Sequence, residues 1–164
     1  MAFLIRAPRP EEADTLAELH VATWREAYGD LLPEGYLSPA HIAGRHRMWA
    51  ELVANPRGDV TARIAVSGDS ILGFALAGPA EGVNGEAPPR DLQLYSIYTL
   101  AAHHGVGAGQ ALLDAVLGGR PAMLWVASQN ARAIAFYQRN DFRFDGVELE
   151  DPDAPLITDA RMVR

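Results

Sequence analysis

The sequence predicts a mixed α/β domain with a mostly antiparallel sheet and one β-α-β unit in its middle. Two observations carry that prediction. Strand and helix periodicities alternate in the order β-α-α-β-β-β-α-β-α-β-β. A glycine-rich loop, His103 to Gln110, joins an apolar strand directly to an amphipathic helix. No segment repeats, and 164 residues lie within the usual size of one hydrophobic core, so a single domain is expected over residues 1–164.

Phe3 to Ala7 reads as a short first strand. Pro10, Glu11 and Glu12 then open a helix on which Leu16, Leu19, His20, Thr23, Trp24 and Ala27 recur at helical spacing. Gly29 to Leu37 is a loop. Ser38 as N-cap and Pro39 at the first helical position start a second helix carrying Ile42, Trp49, Leu52 and Val53, which Asn55, Pro56 and Gly58 end. Val60 to Val66 and Ile71 to Ala77 form a hairpin through Ser67-Gly68-Asp69-Ser70, whose Gly and Asp suit a tight turn. Gly78 to Arg90 is irregular, Leu92 to Leu100 is a third strand, and the helix after the glycine loop ends at Gly118-Gly119. Met123 to Val126 is a strand, Asn130 to Arg139 a helix, and Phe142 to Leu149 with Ile157 to Val163 close the order.

Composition removes several chemistries. There is no cysteine, so disulfides, thiolate metal sites and a Cys-linked acyl intermediate are excluded. All 14 basic residues are Arg, which excludes a Schiff base and the lysine of a Walker loop. A net charge of −7 without basic runs argues against nucleic acid as partner. No apolar stretch approaches the roughly 18 residues of a membrane span, so a soluble, cytoplasmic protein is expected, with a homodimer left open. His20, His41 and His46 lack metal-site spacing, and no metal is expected.

The glycine loop reads His103-His104-Gly105-Val106-Gly107-Ala108-Gly109-Gln110. At a helix N-terminus such a loop gathers backbone N–H groups where the helix dipole adds positive potential, so a pyrophosphate can be held without lysine. The dinucleotide pattern G-x-G-x-x-G fails at Gln110 and at Leu112. His104 to Gly109 resembles instead the cofactor loop of the GNAT superfamily, Arg/Gln-x-x-Gly-x-Gly/Ala, with His104 at its first position. That resemblance implies a GNAT-like central sheet with a splayed strand pair that holds acetyl-CoA. It puts the pyrophosphate on the backbone of Gly105, Val106, Gly107, Ala108, Gly109 and Gln110, and the pantetheine arm on main-chain groups near Tyr98 and Leu100.

Asn130 to Phe142 resembles the family's N-x-x-A-x-x-F-Y-x-x-x-G-F segment, with Asp141 in place of Gly. Taken singly, Asn130 is a helix N-cap and Phe136 and Tyr137 are core aromatics. The resemblance adds that Asn130 and Ala133 line the pantetheine and that Tyr137 meets the thioester sulfur. A phenol stays protonated at neutral pH, and reference values of about 10 for the phenol against about 8.5 for a thiol are taken to favour handing its proton to the departing thiolate. Tyr137 is therefore the candidate general acid. Gln93 and Asp91 stand where many relatives carry Glu, and no base is assigned.

Trp24, Tyr28, Pro33 and Tyr36 resemble a W-x-x-A-Y-x-x-x-x-P pattern seen in the family on the acceptor side, although helical spacing alone makes Trp24 and Tyr28 core residues. The expected activity is transfer of acetyl from acetyl-CoA to a primary amine of a small molecule or peptide. The rival is a non-catalytic acyl-CoA-binding module, to which His104, Gln93 and Asp141 would belong as departures.

Overall fold

Apolar alternation and turn chemistry give seven strands and four α-helices in the computed structural model, which describes residues 1–164. In chain order they are β1 (Leu4–Arg6), α1 (Ala13–Tyr28), α2 (Pro39–Ala54), β2 (Thr61–Ser67), β3 (Ser70–Pro79), β4 (Leu92–Thr99), α3 (Ala108–Leu117), β5 (Met123–Ala127), α4 (Ala131–Arg139), β6 (Arg143–Glu150) and β7 (Thr158–Val163). The order is the expected one. Ser38 caps α2 as predicted, its hydroxyl accepting from the His41 N–H at 3.2 Å. Pro10–Glu12 is a 3₁₀ turn instead of the start of α1. There the Glu12 carboxylate is engaged twice, accepting from the Arg9 N–H at 2.7 Å and pairing with Arg6.

The strands form one sheet in the order β1-β2-β3-β4-β5-β7-β6, antiparallel throughout except between β4 and β5. One face packs on α3 and the end of α4, burying Leu72, Leu94, Leu112, Leu113, Leu117, Leu124 and Phe142. The other packs on α1 and α2, with Leu16, Trp49, Ile64, Phe74 and Leu76 at its centre. The sheet is thus covered on both sides, and its middle is where a cleft can open.

Two features open it. Between β3 and β4 the register slips, Leu76 facing Ser96 while Ala77 faces Leu94, so Tyr95 is an extra residue on β4. Such a bulge bends its strand. The parallel pairing of β4 with β5 then consists of Gln93 with Met123 and Leu94 with Leu124, and ceases at the bulge. Tyr95 is fixed by its hydroxyl, which donates to the Pro79 carbonyl at 2.5 Å, and its ring lies over Gly78, where a Cβ would come within 2.8 Å of the hydroxyl oxygen.

His20 on α1 sits in the aromatic core beside Trp49, Phe74 and Tyr98. The Trp49 indole N–H donates to its Nδ1 at 3.2 Å, which leaves the proton on Nε2. Burial, with Arg45 and His41 adding to it, lowers the imidazole from 6.5 to about 3. Between those values the unfolded chain binds the extra proton, so stability falls as pH drops from 6.5, by at most about 1.4 kcal/mol per unit. The His20 ring resonances should therefore stay fixed from pH 8 to about pH 5, and the stability advantage of wild type over His20→Gln should shrink below pH 6.5. A ring that titrates near neutrality would contradict this burial.

Candidate active site

Beyond Leu94, β4 and β5 part, and a cleft of about 650 Å³ lies between the end of β4, the glycine loop and α4. Its β4 wall differs from the sequence reading. The Leu100 N–H donates to the Leu72 carbonyl at 3.1 Å, and the Leu100 carbonyl accepts from His103 at 2.9 Å. Leu100 is therefore committed to β3 and to the turn, and its side chain packs on the α1–α2 side. Main-chain groups alternate along a strand, so Tyr98, two residues earlier, also turns its N–H and carbonyl toward β3. The main-chain groups on the cleft side are those of Ile97 and Thr99, of which the Thr99 carbonyl is bonded by His104, while Tyr98 contributes its side chain.

At the end of the cleft the N–H groups of Gly105, Val106, Gly107, Ala108, Gly109 and Gln110 donate to no protein acceptor; the first helical bond of α3 runs from Ala111 to the Gly107 carbonyl at 3.1 Å. Six consecutive donors at a helix N-terminus form an anion-binding concavity. Gly105 at φ +82 and Gly107 at φ +88 create it, and a Cβ on either would meet no atom within 4 Å. Open space in front of the backbone fits close approach by a phosphate. The side chains of the loop serve elsewhere. His104 is exposed, and its Nε2 bonds the Thr99 carbonyl at 3.1 Å. The Gln110 amide exchanges hydrogen bonds with Asn140 at 2.8 and 3.1 Å, tying α3 to the end of α4. The Val106 side chain packs into the α3 core.

The second motif both shapes α4 and lines the cleft, through Asn130, Ala133, Phe136 and Tyr137. The Asn130 side chain caps α4 by accepting from the Ala133 N–H at 3.1 Å, and its amide donates to the Tyr28 hydroxyl at 3.3 Å. Ala133 lines the cleft. At the other end, Phe142 donates to the Tyr137 carbonyl and Asp141 to the Gln138 carbonyl, while the Phe142 and Tyr137 rings meet edge on at 6.0 Å. That is a Schellman cap with its hydrophobic contact, and Asp141 occupies the left-handed position at φ +68. Asp tolerates that conformation better than most side chains, so this departure from the motif preserves the turn. Gln93 is likewise structural, its carbonyl accepting from the Glu81 N–H at 3.0 Å.

Tyr28, Tyr98 and Tyr137 surround the point where the strands part. Burial raises the Tyr137 phenol far above its ordinary value, with Tyr28 adding to the effect. Tyr98 is raised well above 10 by burial and by its neighbours Tyr28 and Tyr137. Both stay protonated, but the direction of the proton step needs correction. A phenol near 10 giving its proton to a thiolate near 8.5 is uphill by about 2 kcal/mol, not downhill. A raised phenol makes the step harder unless the same dry surroundings raise the thiol as well. Tyr137 lines the cleft where the strands part and keeps its hydroxyl hydrogen there.

On the opposite face, a cavity of about 720 Å³ lies between α1, α2 and strands β2 to β4, and Tyr98 lines both this cavity and the cleft. Trp24, one of the aromatic residues singled out in sequence, lines this cavity and stacks on Tyr36 with rings 9° apart. Residues that no motif pointed to are Ile97 and Thr99 on β4, Arg132 and Arg139 on the cleft rim, and Arg45 in the second cavity. Arg132, Phe136 and Arg139 share a helix face by spacing, the one signal that could have found the two arginines. No group of His, Asp and Glu is placed to hold a metal ion, and no helix is long and apolar enough to cross a membrane.

Parted parallel strands that end on a glycine-loop helix terminus define a protein built to take a donor with a phosphate-bearing tail. The model of the acetyltransferase (GNAT) family matches residues 16–142, and the chain belongs to that family. Its reaction is transfer of acetyl from acetyl-CoA to an amine. The probable N-acetyltransferase Rv2775 of Mycobacterium tuberculosis is 29% identical over 148 residues, which cover 87% of this chain and 80% of that protein. The uncharacterized N-acetyltransferase Rv2669 of the same species is 30% identical over 141 residues, 78% of this chain and 84% of that one. The crystal structure of PaiA N-acetyltransferase from Thermoplasma acidophilum in complex with coenzyme A shares the fold, with a TM-score of 0.71 over 100% of this chain and 99% of that one at 19% identity.

The cap at Asp141 gives a direct test. Left-handed φ costs an ordinary L-residue about 1–2 kcal/mol and Asp somewhat less, so Asp141→Gly should raise stability by up to about 1 kcal/mol, and Asp141→Val should lower it by more than that. Urea denaturation of the three proteins measures both. A destabilised Gly variant would show that the carboxylate, and not the backbone, holds the turn.

Proposed function

We propose that acetyl-CoA lies in the cleft between β4 and β5, its pyrophosphate on the N–H groups of Gly105 to Gln110 and its pantetheine arm along Ile97 and Thr99. The acceptor, a primary amine of a small molecule or peptide, enters from the α1–α2 cavity, and the protein works in the cytoplasm. The observation that carries the reading is the run of six unpaired N–H groups standing at the end of a parted strand pair. Arg132 and Arg139, exposed on the rim and outside any salt bridge, supply positive charge beside the loop. They bring guanidinium forks from α4 in place of one in the loop.

Bound there, acetyl-CoA supplies an acyl group activated as a thioester. The chain then has three tasks. Strand N–H groups of β4 that face the cleft bond the carbonyl oxygen and become more favourable as negative charge grows on it. Tyr137 donates its hydroxyl hydrogen to the sulfur as the carbon–sulfur bond breaks, and the proton that the attacking nitrogen sheds as the amide forms restores the phenol through solvent. The amine must arrive without its proton, and His20 does not take it, because Nδ1 is held by Trp49 and the imidazole value is about 3.

Thiol release from acetyl-CoA against a panel of amines tests this. Tyr137→Phe should keep acetyl-CoA affinity and lower turnover by about 10²-fold, and the rate of wild type should rise with pH until the acceptor amine is deprotonated and then show no fall up to about pH 10, because both phenols are raised. Equal turnover in wild type and Tyr137→Phe would remove the acid role. If Tyr98→Phe alone lost activity, the role would pass to Tyr98. Tight acetyl-CoA binding with no amine acetylated would favour a binding module.

A further inference from the structure

The walls of the α1–α2 cavity carry a charge pattern opposite to that of the whole chain. Net charge is −7, yet the cavity is lined by Arg45, Arg57 and Arg63 with Glu51 as its carboxylate. Two of the three cations are engaged: Arg57 pairs with Asp59 at 2.6 Å, and Arg63 donates to the Ala62 carbonyl at 2.7 Å. Arg45 is not. Its one polar contact is the Met48 sulfur at 3.9 Å, and no carboxylate lies within the 4.0 Å of an ion pair. Asp151, Asp153 and Asp159 act on the neighbouring Tyr36 ring without reaching it.

Arg45 is half-buried beside the reaction end of this cavity. Its guanidinium lies 5.9 Å from the Trp24 ring centroid, and its charge lowers the values of His20, His41 and Tyr98. Trp24, on the same wall, has an indole N–H that is buried and without a partner. Apolar side chains, Met48, Leu52, Val60 and Leu76, make up much of the rest. A half-buried guanidinium without a counter-ion, on the wall of a cavity with apolar side chains around it, matches a carboxylate, whose two oxygens accept from a planar fork.

We propose that this cavity selects acceptors that carry a carboxylate, and that Arg45 is the residue that holds it. The inference rests on reading the cavity as the acceptor side of the acetyltransferase. An acceptor of this class is an amine joined to a carboxylate through an apolar body, as in a free apolar amino acid or a short peptide with a free C-terminus. Polyamines bring like charge to Arg45 and are disfavoured.

Binding of the acetylated products separates this from turnover. With coenzyme A present, N-acetylmethionine and N-acetylphenylalanine are titrated calorimetrically beside their primary amides, and an N-acetylated dipeptide is titrated with free and amidated C-terminus. The acids should bind at least about 10-fold more tightly than the amides, the worth of one charge-assisted hydrogen bond. The preference should vanish in Arg45→Gln and return in part in Arg45→Lys, with coenzyme A affinity unchanged in both. The member with the larger preference, amino acid or dipeptide, identifies the source of the carboxylate. Equal binding of acid and amide, no binding of either, or a preference that survives Arg45→Gln would overturn the proposal. Acid-selective binding without acetylation of the parent amine would instead retire the catalytic reading and leave the carboxylate site standing.

Discussion

The cleft opens where β4 carries one residue more than its partner β3, at Tyr95. One extra residue on β4, its ring laid over Gly78 and its hydroxyl bonded to the Pro79 carbonyl, turns the strand away from β5 after two paired residues. In a regular sheet the main-chain groups of Ile97 and Thr99 would be spent on β5. The bulge releases them from β5 in the middle of the fold, the Thr99 carbonyl then being taken by His104. Gly78 has no room for a side chain, so the bulge and the glycine on the neighbouring strand depend on each other.

The glycine loop completes the cleft by the same means, backbone groups relieved of partners. A chain with no lysine and a net charge of −7 has little positive potential to spend on a phosphate-bearing donor. Left-handed φ at Gly105 and Gly107 compensates by leaving six successive N–H groups without protein acceptors at the start of α3, where the helix dipole assists. The side chains of this region are taken up in structure: His104 on Thr99, Gln110 on Asn140, Asn130 on the α4 cap and on Tyr28. Recognition through the main chain tolerates such substitution, since it asks of His104 and Gln110 only their backbone.

The order of elements, the loop and its helix, and the N-cap at Ser38 were legible in the sequence because each has a local cause: periodicity, glycine spacing or a capping hydroxyl. What was not legible depended on register. Whether Leu100 or Thr99 faces the cleft turns on a bulge three to five residues upstream, which a strand-forming run such as Leu92 to Leu100 does not announce. Asp141 looked like a departure from the motif and is a left-handed cap fulfilled by another residue type. Arg45 carries no motif at all. Its meaning comes from the ion pairs that Arg57 forms and Arg45 lacks, and pairing across a fold cannot be read along a chain.

The central claim is that the loop amides themselves hold the phosphates of the donor. Amide NMR resonances of Gly105 to Gln110, followed while coenzyme A or phosphate-free pantetheine is added, measure this directly. The account predicts large downfield shifts and slowed exchange for these amides with coenzyme A, and little change there with pantetheine. Loop amides that stay unmoved while coenzyme A binds, with the shifts gathered elsewhere on the surface, would contradict it.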